Sequence, residues 1–151
     1  MSPAEARAFL EEGRTLLVAS LHHDGRPHLV PMWYVVEDGK VAFRSFTRSQ
    51  KIRNLQRDPR LSVLVERGRT YADLQGVMIE GRARLIDDPT YVLALYGKLA
   101  AKYALVGPEP RLLLPEELEA AFGRYAARNT VVVVEPVRIS SWDHTKLRGG
   151  Y

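Results

Sequence analysis

Two Asp-Gly dipeptides, each set between β-rich runs, constrain the fold of this chain more than any other feature. Asp24-Gly25 separates the run 16–21 from the run 28–36. Asp38-Gly39 then separates that second run from residues 41–45. Asp-Gly between β-rich runs is a strong hairpin signal, because both residues tolerate the positive φ of a tight turn. The first third of the chain is therefore predicted to be an antiparallel meander.

Further strand-like runs and short amphipathic helices make up the rest of the chain. The strand-like runs are residues 61–66, 74–86 and 130–142. Helices are predicted from Pro3 to before Gly13, from Ser49 to the stop at Asp58-Pro59, from Asp88-Pro89, and from Pro115. Strands that start roughly every 12 residues leave no room for parallel crossovers in the first half. The expected fold is mainly β, a six-stranded antiparallel Greek-key barrel with short peripheral helices, in one domain covering residues 1–151.

The residue content excludes several kinds of chemistry. The chain has no Cys and four His without HxxxH or HExxH spacing, so neither thiolate catalysis nor a metal site is expected. It also lacks the GxSxG, P-loop and GxGxxG motifs. The polar, acidic N-terminus and the short apolar runs lead us to expect a cytoplasmic protein without a membrane partner. A net charge of +4 is compatible with an anionic ligand.

Hydrogen-bond donors are densest in residues 43–55, where a strand ends and a helix begins. Helix N-termini present free N–H groups and a positive dipole end, while hydroxyls and Lys51 add donors, so a phosphate site is one interpretation. A capped surface helix with solvated cations is the alternative. Nucleic-acid binding is a third interpretation, disfavoured because no RNP-like aromatic strand motif accompanies the basic residues. Those basic residues are Arg48, Lys51, Arg53, Arg57 and Arg60.

The strand around Pro31-Met32-Trp33 is a second candidate site. Proline inside a strand indicates an edge or a bulge, where backbone groups stay free for a ligand. Met32 and Trp33 are side chains that pack well against a planar ring. Ordinary core packing is the alternative interpretation of the same residues.

Taken in order, these motifs resemble the pyridoxamine 5′-phosphate oxidase-like superfamily, the split barrels that bind flavins and deazaflavins. The family's segment runs aromatic–x–Thr/Ser, then Ser–Arg–Lys, a Leu and an Asn/Asp-Pro. The matching residues here are Phe43, Ser45, Ser49-Gln50-Lys51, Leu55 and Asp58-Pro59. The run 25–33 is similar to the family's second strand, and the run 77–83 to its later Ile/Val-Glu-Gly strand. The resemblance spans roughly residues 15–140.

This resemblance implies a six-stranded split barrel that forms a homodimer, with two cofactor sites at the subunit interface and a small-molecule substrate. It implies that the residues around the cofactor phosphate are Ser45, Thr47, Ser49, Gln50 and Lys51. Pro31, Met32 and Trp33 would run beside the isoalloxazine or deazaflavin ring. No catalytic side chain is assigned, since the cofactor carries the chemistry. Tyr34, Tyr71 or a bound water are the proton donors considered.

Two differences from the vitamin B6 oxidases indicate which branch of the superfamily this chain resembles. Those oxidases carry Arg where Gln50 stands, and they end in an Arg-Leu-His-Asp-Arg segment that residues 141–147 do not contain. The Arg-Asn-Leu-x-x-Asp-Pro stretch of residues 53–59 resembles the branch that uses the deazaflavin coenzyme F420. We therefore expect hydride transfer between F420 and a small organic substrate. The alternative is an FMN-binding relative, either an oxidase or reductase or a non-catalytic flavin binder.

Overall fold

A seven-stranded antiparallel sheet dominates the computed structural model, which describes residues 1–147. The strands are β1 Leu16–Leu21, β2 Pro27–Met32, β3 Val35–Glu37, β4 Lys40–Phe46, β5 Arg60–Arg67, β6 Gln75–Ile86 and β7 Asn129–Asp143. The α-helices are α1 Pro3–Glu12, α2 Gln50–Arg57, α3 Pro89–Lys102 and α4 Pro115–Ala126. The mainly β, antiparallel class with short helices is confirmed. The end of the predicted domain, residues 148–151, lies outside the described residues.

The predicted count of six strands was wrong, because the run expected at residues 28–36 is two strands. β2 pairs with β1, whereas β3 pairs with β4. Between them the Tyr34 N–H donates to Tyr103 Oη over 3.2 Å, and Tyr103 Oη donates to the Tyr34 carbonyl over 3.0 Å. A side chain from the end of α3 therefore takes the backbone groups that a continuous strand would offer to its neighbour.

The same interruption makes the sheet curl. The strand order is β2-β1-β5-β6-β7-β4-β3, so the two edge strands are consecutive in the chain. Only Trp33 and Tyr34 separate them. Because so short a link joins the two edges, the sheet must bend round until they meet, which produces a half-barrel.

Both predicted hairpin turns are confirmed. Asp38 and Gly39 have φ values of 49° and 76°, the pair of positive angles that a tight two-residue hairpin requires. Gly25 has a φ of 83° in the turn between β1 and β2. Pro31 is in β2, which is an edge strand as its proline predicted.

Apolar side chains form two clusters on opposite sides of the sheet. The inner cluster fills the half-barrel, where Phe9 of α1 and Ile52 of α2 close the ends against strand residues such as Phe43. The outer cluster joins α3 and α4 to the far face of β3, β4 and β7. Within the part of the chain that the structure describes, no helix is long and apolar enough to cross a bilayer.

Replacing Gly13 with Ala is expected to destabilise the protein. A Cβ at this position would lie 2.4 Å from Tyr34 Oη and 2.5 Å from Val65 Cγ1, and both side chains are buried. Relieving such overlap costs about 1–3 kcal/mol of unfolding free energy, which urea denaturation measures. Gly97→Ala in α3 is the control, since its Cβ would meet nothing closer than 3.4 Å. That helical substitution should add about 0.5–1 kcal/mol, and equal effects at the two positions would contradict the argument.

Candidate functional site

Three of the residues predicted to hold a phosphate meet where β4 ends and α2 begins. Lys51 Nζ donates to Ser45 Oγ over 3.0 Å, and the Ser45 and Ser49 hydroxyl oxygens are 3.1 Å apart. Ser49 occupies the N-cap of α2, but its side chain makes no capping bond to the helix. The free N–H groups of the first turn therefore point out beside two hydroxyls and an ammonium group.

Charge in this Ser45–Ser49–Lys51 cluster is not neutralised by protein. Burial lowers the pKa of the Lys51 ammonium, because removing water disfavours the charged form. Among the ion pairs of residues 1–147, none includes Lys51. A half-buried cation with a hydroxyl as its partner is electrostatically suited to an incoming anion.

Thr47 and Gln50, also predicted to face the phosphate, belong to other networks in the single chain. Thr47 Oγ1 lies 2.9 Å from Thr130 Oγ1, which donates to Asp87 Oδ1 over 2.5 Å. Gln50 Nε2 donates to Asn54 Oδ1 over 2.8 Å. The fold thus brings Ser45, Ser49 and Lys51 together, whereas Thr47 and Gln50 hydrogen-bond to other side chains.

Pro31, Met32 and Trp33 line one cleft of about 350 Å³, a volume typical of small-molecule sites. The other lining residues are Thr15, Arg44, Leu99 and Leu105. Met32 also packs against the inner core, so both interpretations of this residue hold together. The cleft is separate from the Ser45–Ser49–Lys51 cluster, since none of those three residues lines it.

Trp33 is held rigidly at the rim of the cleft. Its ring stacks on Tyr103 with centroids 4.7 Å apart and planes 8° from parallel. Half of the Trp33 surface stays exposed, at 50%. Lys102 Nζ lies 4.0 Å from the centroid of the Tyr34 ring, and burial lowers the pKa of Lys102 to about 8. The cations at this junction contact the two tyrosine rings, and the Tyr103 ring in turn supports the tryptophan.

Arg44 is a cleft residue that sequence reasoning missed. Its guanidinium lies 4.4 Å from the Tyr96 ring centroid, and Nη1 donates to Asn129 Oδ1 over 3.2 Å. Its Nε is buried without a hydrogen-bond partner. The sequence did contain a signal for this residue, an Arg directly before Ser45 near the end of β4. Because side chains alternate along a strand, Arg44 had to lie on the opposite face from Ser45.

The remaining candidates are placed as follows. Tyr34 is fully buried and its hydroxyl donates to the Leu10 carbonyl over 2.5 Å, so it has no proton to offer a substrate. Tyr71 is exposed beside His144, with ring centroids 4.6 Å apart. Arg60 pairs with Asp58, and Arg57 donates to the Leu21 carbonyl. Residues 1–147 contain no grouping of His, Asp and Glu side chains suited to a metal ion.

Comparison with known proteins gives a family match over almost the whole chain. Residues 2–143 match the family model described as pyridoxamine 5′-phosphate oxidase. The crystal structure of the conserved hypothetical protein Rv2991 from Mycobacterium tuberculosis superposes with a TM-score of 0.86 at 35% identity, covering 100% of this chain and 91% of that one.

Two more distant structures show the same fold. A structure named F420 reductase has a TM-score of 0.67 at 24% identity, covering 89% of this chain and 94% of its own. A FAD-binding protein from Mesorhizobium loti has a TM-score of 0.68 at 20% identity, covering 93% of this chain and 94% of its own. At these identities the likeness concerns the fold.

Tyr103→Phe is expected to destabilise the junction that holds Trp33. The Tyr103 hydroxyl accepts from the Tyr34 N–H and donates toward the carbonyls of Tyr34 and Arg14, each over 3.0–3.2 Å. Leaving buried backbone groups unpaired costs about 1–3 kcal/mol of unfolding free energy in a urea titration. Tyr125→Phe is the control, since its hydroxyl only accepts from Arg124 at the surface. Equal stability of the two variants would show that the Tyr103 hydroxyl does not support the junction.

Proposed function

The chain belongs to the pyridoxamine 5′-phosphate oxidase family, and on that basis we propose that it is an oxidoreductase that binds the deazaflavin coenzyme F420. The proposed reaction is hydride exchange between the coenzyme and a small organic substrate. The observation that carries the proposal is Lys51, a half-buried cation that faces two hydroxyls at a helix N-terminus. FMN-dependent chemistry, or flavin binding without turnover, is the alternative.

The residues present fit a phosphorylated ring cofactor at both of its ends. The Ser45–Ser49–Lys51 cluster supplies hydroxyl, ammonium and backbone N–H donors, which together suit a phosphate monoester. The cleft beside Trp33 supplies an apolar wall and the cation Arg44, whose buried Nε has no partner within the described part of the chain. An orphaned donor in a cleft indicates that an acceptor belongs there.

Support for F420 over FMN comes from the chain itself. Gln50 replaces the arginine of the B6 oxidases, and its amide is directed to Asn54. Residues 53–59 read Arg-Asn-Leu-x-x-Asp-Pro, which resembles the F420 branch. The structural neighbour named F420 reductase is compatible with this choice, and the FAD-binding neighbour keeps the flavin alternative in place.

Each part of the site has a defined task in this mechanism. When bound, the ring supplies the hydride chemistry, so no side-chain nucleophile is required. Lys51 and the serine hydroxyls would anchor the phosphate and so hold the ring in place relative to β2. The backbone of Pro31 to Trp33, where the edge strand β2 ends, would meet the polar edge of the ring, and Arg44 would attract negative charge in the cleft. Leu99 and Leu105 exclude water from the apolar side.

The uncovered face of the sheet supports the proposal that two copies associate. Pro31, Leu17, Leu64 and Met78 stand in register across β2, β1, β5 and β6. They alternate with core residues, so they lie on the outer face, where an apolar patch marks an interaction site. α3 and α4 pack instead against β3, β4 and β7. Since Pro31 also lines the cleft, a second copy seated on this face would border the ring site.

Leu64→Arg is expected to break this association. The substitution places a charge at the centre of the outer patch, which opposes burial against an identical surface. Sedimentation velocity should shift from about twice 17.1 kDa toward 17.1 kDa. Leu112→Arg is the matched control, because Leu112 is 81% exposed and lies away from the patch. A wild-type protein that sediments as a monomer would overturn the dimer, and thermal melting confirms that both variants are folded.

A fluorescence titration with F420 and, separately, with FMN tests the cofactor assignment. Tight binding of F420 alone supports the proposed branch, and tight binding of FMN alone supports the flavin alternative. Binding of neither overturns the proposed site. Where a cofactor binds, turnover of that cofactor with a reductant separates an enzyme from a non-catalytic binder.

Lys51→Ala is expected to weaken binding of the phosphorylated cofactor by about 1.5–3 kcal/mol, the range for a hydrogen bond to a charged group. This corresponds to roughly 10- to 150-fold in Kd. Arg53→Ala removes a cation from the exposed side of the same helix, and it should leave the Kd within about twofold. Equal affinity of the Lys51 and Arg53 variants would mean that the cluster does not hold the phosphate.

A further inference from the structure

His28 lies on the face of β2 that looks toward the Ser45–Ser49–Lys51 cluster. It stands opposite Ser20 of β1, and residues paired in this way share one face of the sheet. Ser20 Oγ accepts a hydrogen bond of 3.1 Å from Asn54 Nδ2 of α2. Lys51 precedes Asn54 by one turn of that helix. The strand pairing and this hydrogen bond therefore place the His28 ring beside α2 near Lys51.

A ring nitrogen of His28 has no hydrogen-bond partner among residues 1–147. Nδ1 is buried and makes no hydrogen bond. The neighbouring ring of His22 meets His28 edge to face, with centroids 5.2 Å apart, and leaves Nδ1 unsatisfied. Buried polar atoms are nearly always paired, so an unpaired one beside a ligand site indicates a missing partner.

The groups facing His28 are cationic or already paired. Burial lowers its pKa most, and His22 and then Lys51 lower it further. Asp24, in the adjoining turn, pairs with Arg26, and Arg57 of α2 donates to the Leu21 carbonyl. Across residues 1–147 no ion pair joins a carboxylate to either histidine. His28 and Lys51 are therefore neighbouring bases without an ion-paired acid among the described residues.

We propose that His28 completes the anion site, donating from Nδ1 to the phosphate held by Ser45, Ser49 and Lys51, and taking up a proton as that phosphate binds. The inference rests on the phosphate site of the proposed function and adds to it a residue and a dependence on pH. A phosphate dianion supplies the acceptor that Nδ1 lacks. Its negative charge also offsets the repulsion between Lys51 and a protonated His28, which favours the imidazolium form.

The direction of the pH effect follows from the two states of the protein. Without the anion, His28 loses its proton at a pH below the ordinary value for histidine. With the anion bound, the pKa of His28 rises. The contribution of His28 to affinity is therefore complete at acidic pH, and it is lost as the pH rises through the pKa of the complex.

The experiment measures both the proton and the affinity. The first measurement is an NMR titration of the His28 ring with and without inorganic phosphate, in which the pKa should rise by about one unit or more. Since the chain has four histidines, the spectrum of His28→Gln identifies the resonance. The second is the ratio of FMN or F420 Kd values between His28→Gln and wild type. It should be about tenfold near pH 5.5 and within about twofold near pH 8.5.

Two controls isolate the effect of His28. The ligand phosphate titrates identically with both proteins, so its effect cancels in the ratio of their Kd values. His23→Gln makes the same substitution at the exposed histidine of the adjoining turn, and its ratio should stay near one at every pH. Melting temperatures establish that both variants are folded.

The outcomes separate this inference from the proposed function. A phosphate-induced rise in the His28 pKa supports the anion site even if neither cofactor binds. Tight cofactor binding with the same pH dependence in His28→Gln and wild type overturns the inference and leaves the function intact. An unchanged His28 pKa in saturating phosphate also overturns it.

Discussion

The hydrogen bonds between the Tyr103 hydroxyl and the backbone of Tyr34 are the constraint on which both the fold and the cleft depend. They divide what would be one long strand into the two edges of a single sheet. Because the edges are joined by two residues, the sheet must curl, and the inner face becomes a closed core. The same Tyr103 ring carries Trp33 on its face. The residue that ends α3 thus sets the curvature of the sheet and the rim of the cleft together.

The polar groups left without protein partners lie around the two candidate sites. Lys51 is half-buried with a hydroxyl partner, while buried nitrogens of Arg44 and His28 have none among residues 1–147. A third such nitrogen, Lys102 Nζ, lies over the Tyr34 and Tyr103 rings behind Trp33. Burying such groups costs free energy unless a ligand compensates. Several cations elsewhere on the surface do have acidic partners, as Lys98 with Glu37 and Arg111 with Glu117. Buried polar groups without protein partners are typical of sites where a protein gives up stability in favour of binding.

The outer face of the sheet has two parts with different surroundings. The helices α3 and α4 cover the part formed by β3, β4 and β7. The part formed by β2, β1, β5 and β6 keeps an apolar row in register. Pro31 belongs to that row and to the wall of the cleft. This shared residue gives the proposed dimer a physical link to the proposed ring site, because whatever covers the row also borders the cleft.

Local signals in the sequence were enough for the elements and for part of the site. The Asp-Gly turns, the proline caps and the apolar periods predicted the four α-helices and the two hairpins, because each depends on residues close together in the chain. The grouping of Ser45, Ser49 and Lys51 was also predictable, since a strand end and the following helix start are neighbours. The sequence alone therefore determined the antiparallel β class, the α-helices and the Ser45–Ser49–Lys51 cluster. Tertiary structure decided the division of the strand at Tyr34, the pairing of Thr47 with Thr130, the entry of Arg44 into the cleft and the placement of His28 beside α2. Each of these depends on a partner 34 to 85 residues away, namely Tyr103, Thr130, Asn129 and Ser20. Hydrophobic period and turn chemistry carry no information about contacts at that separation.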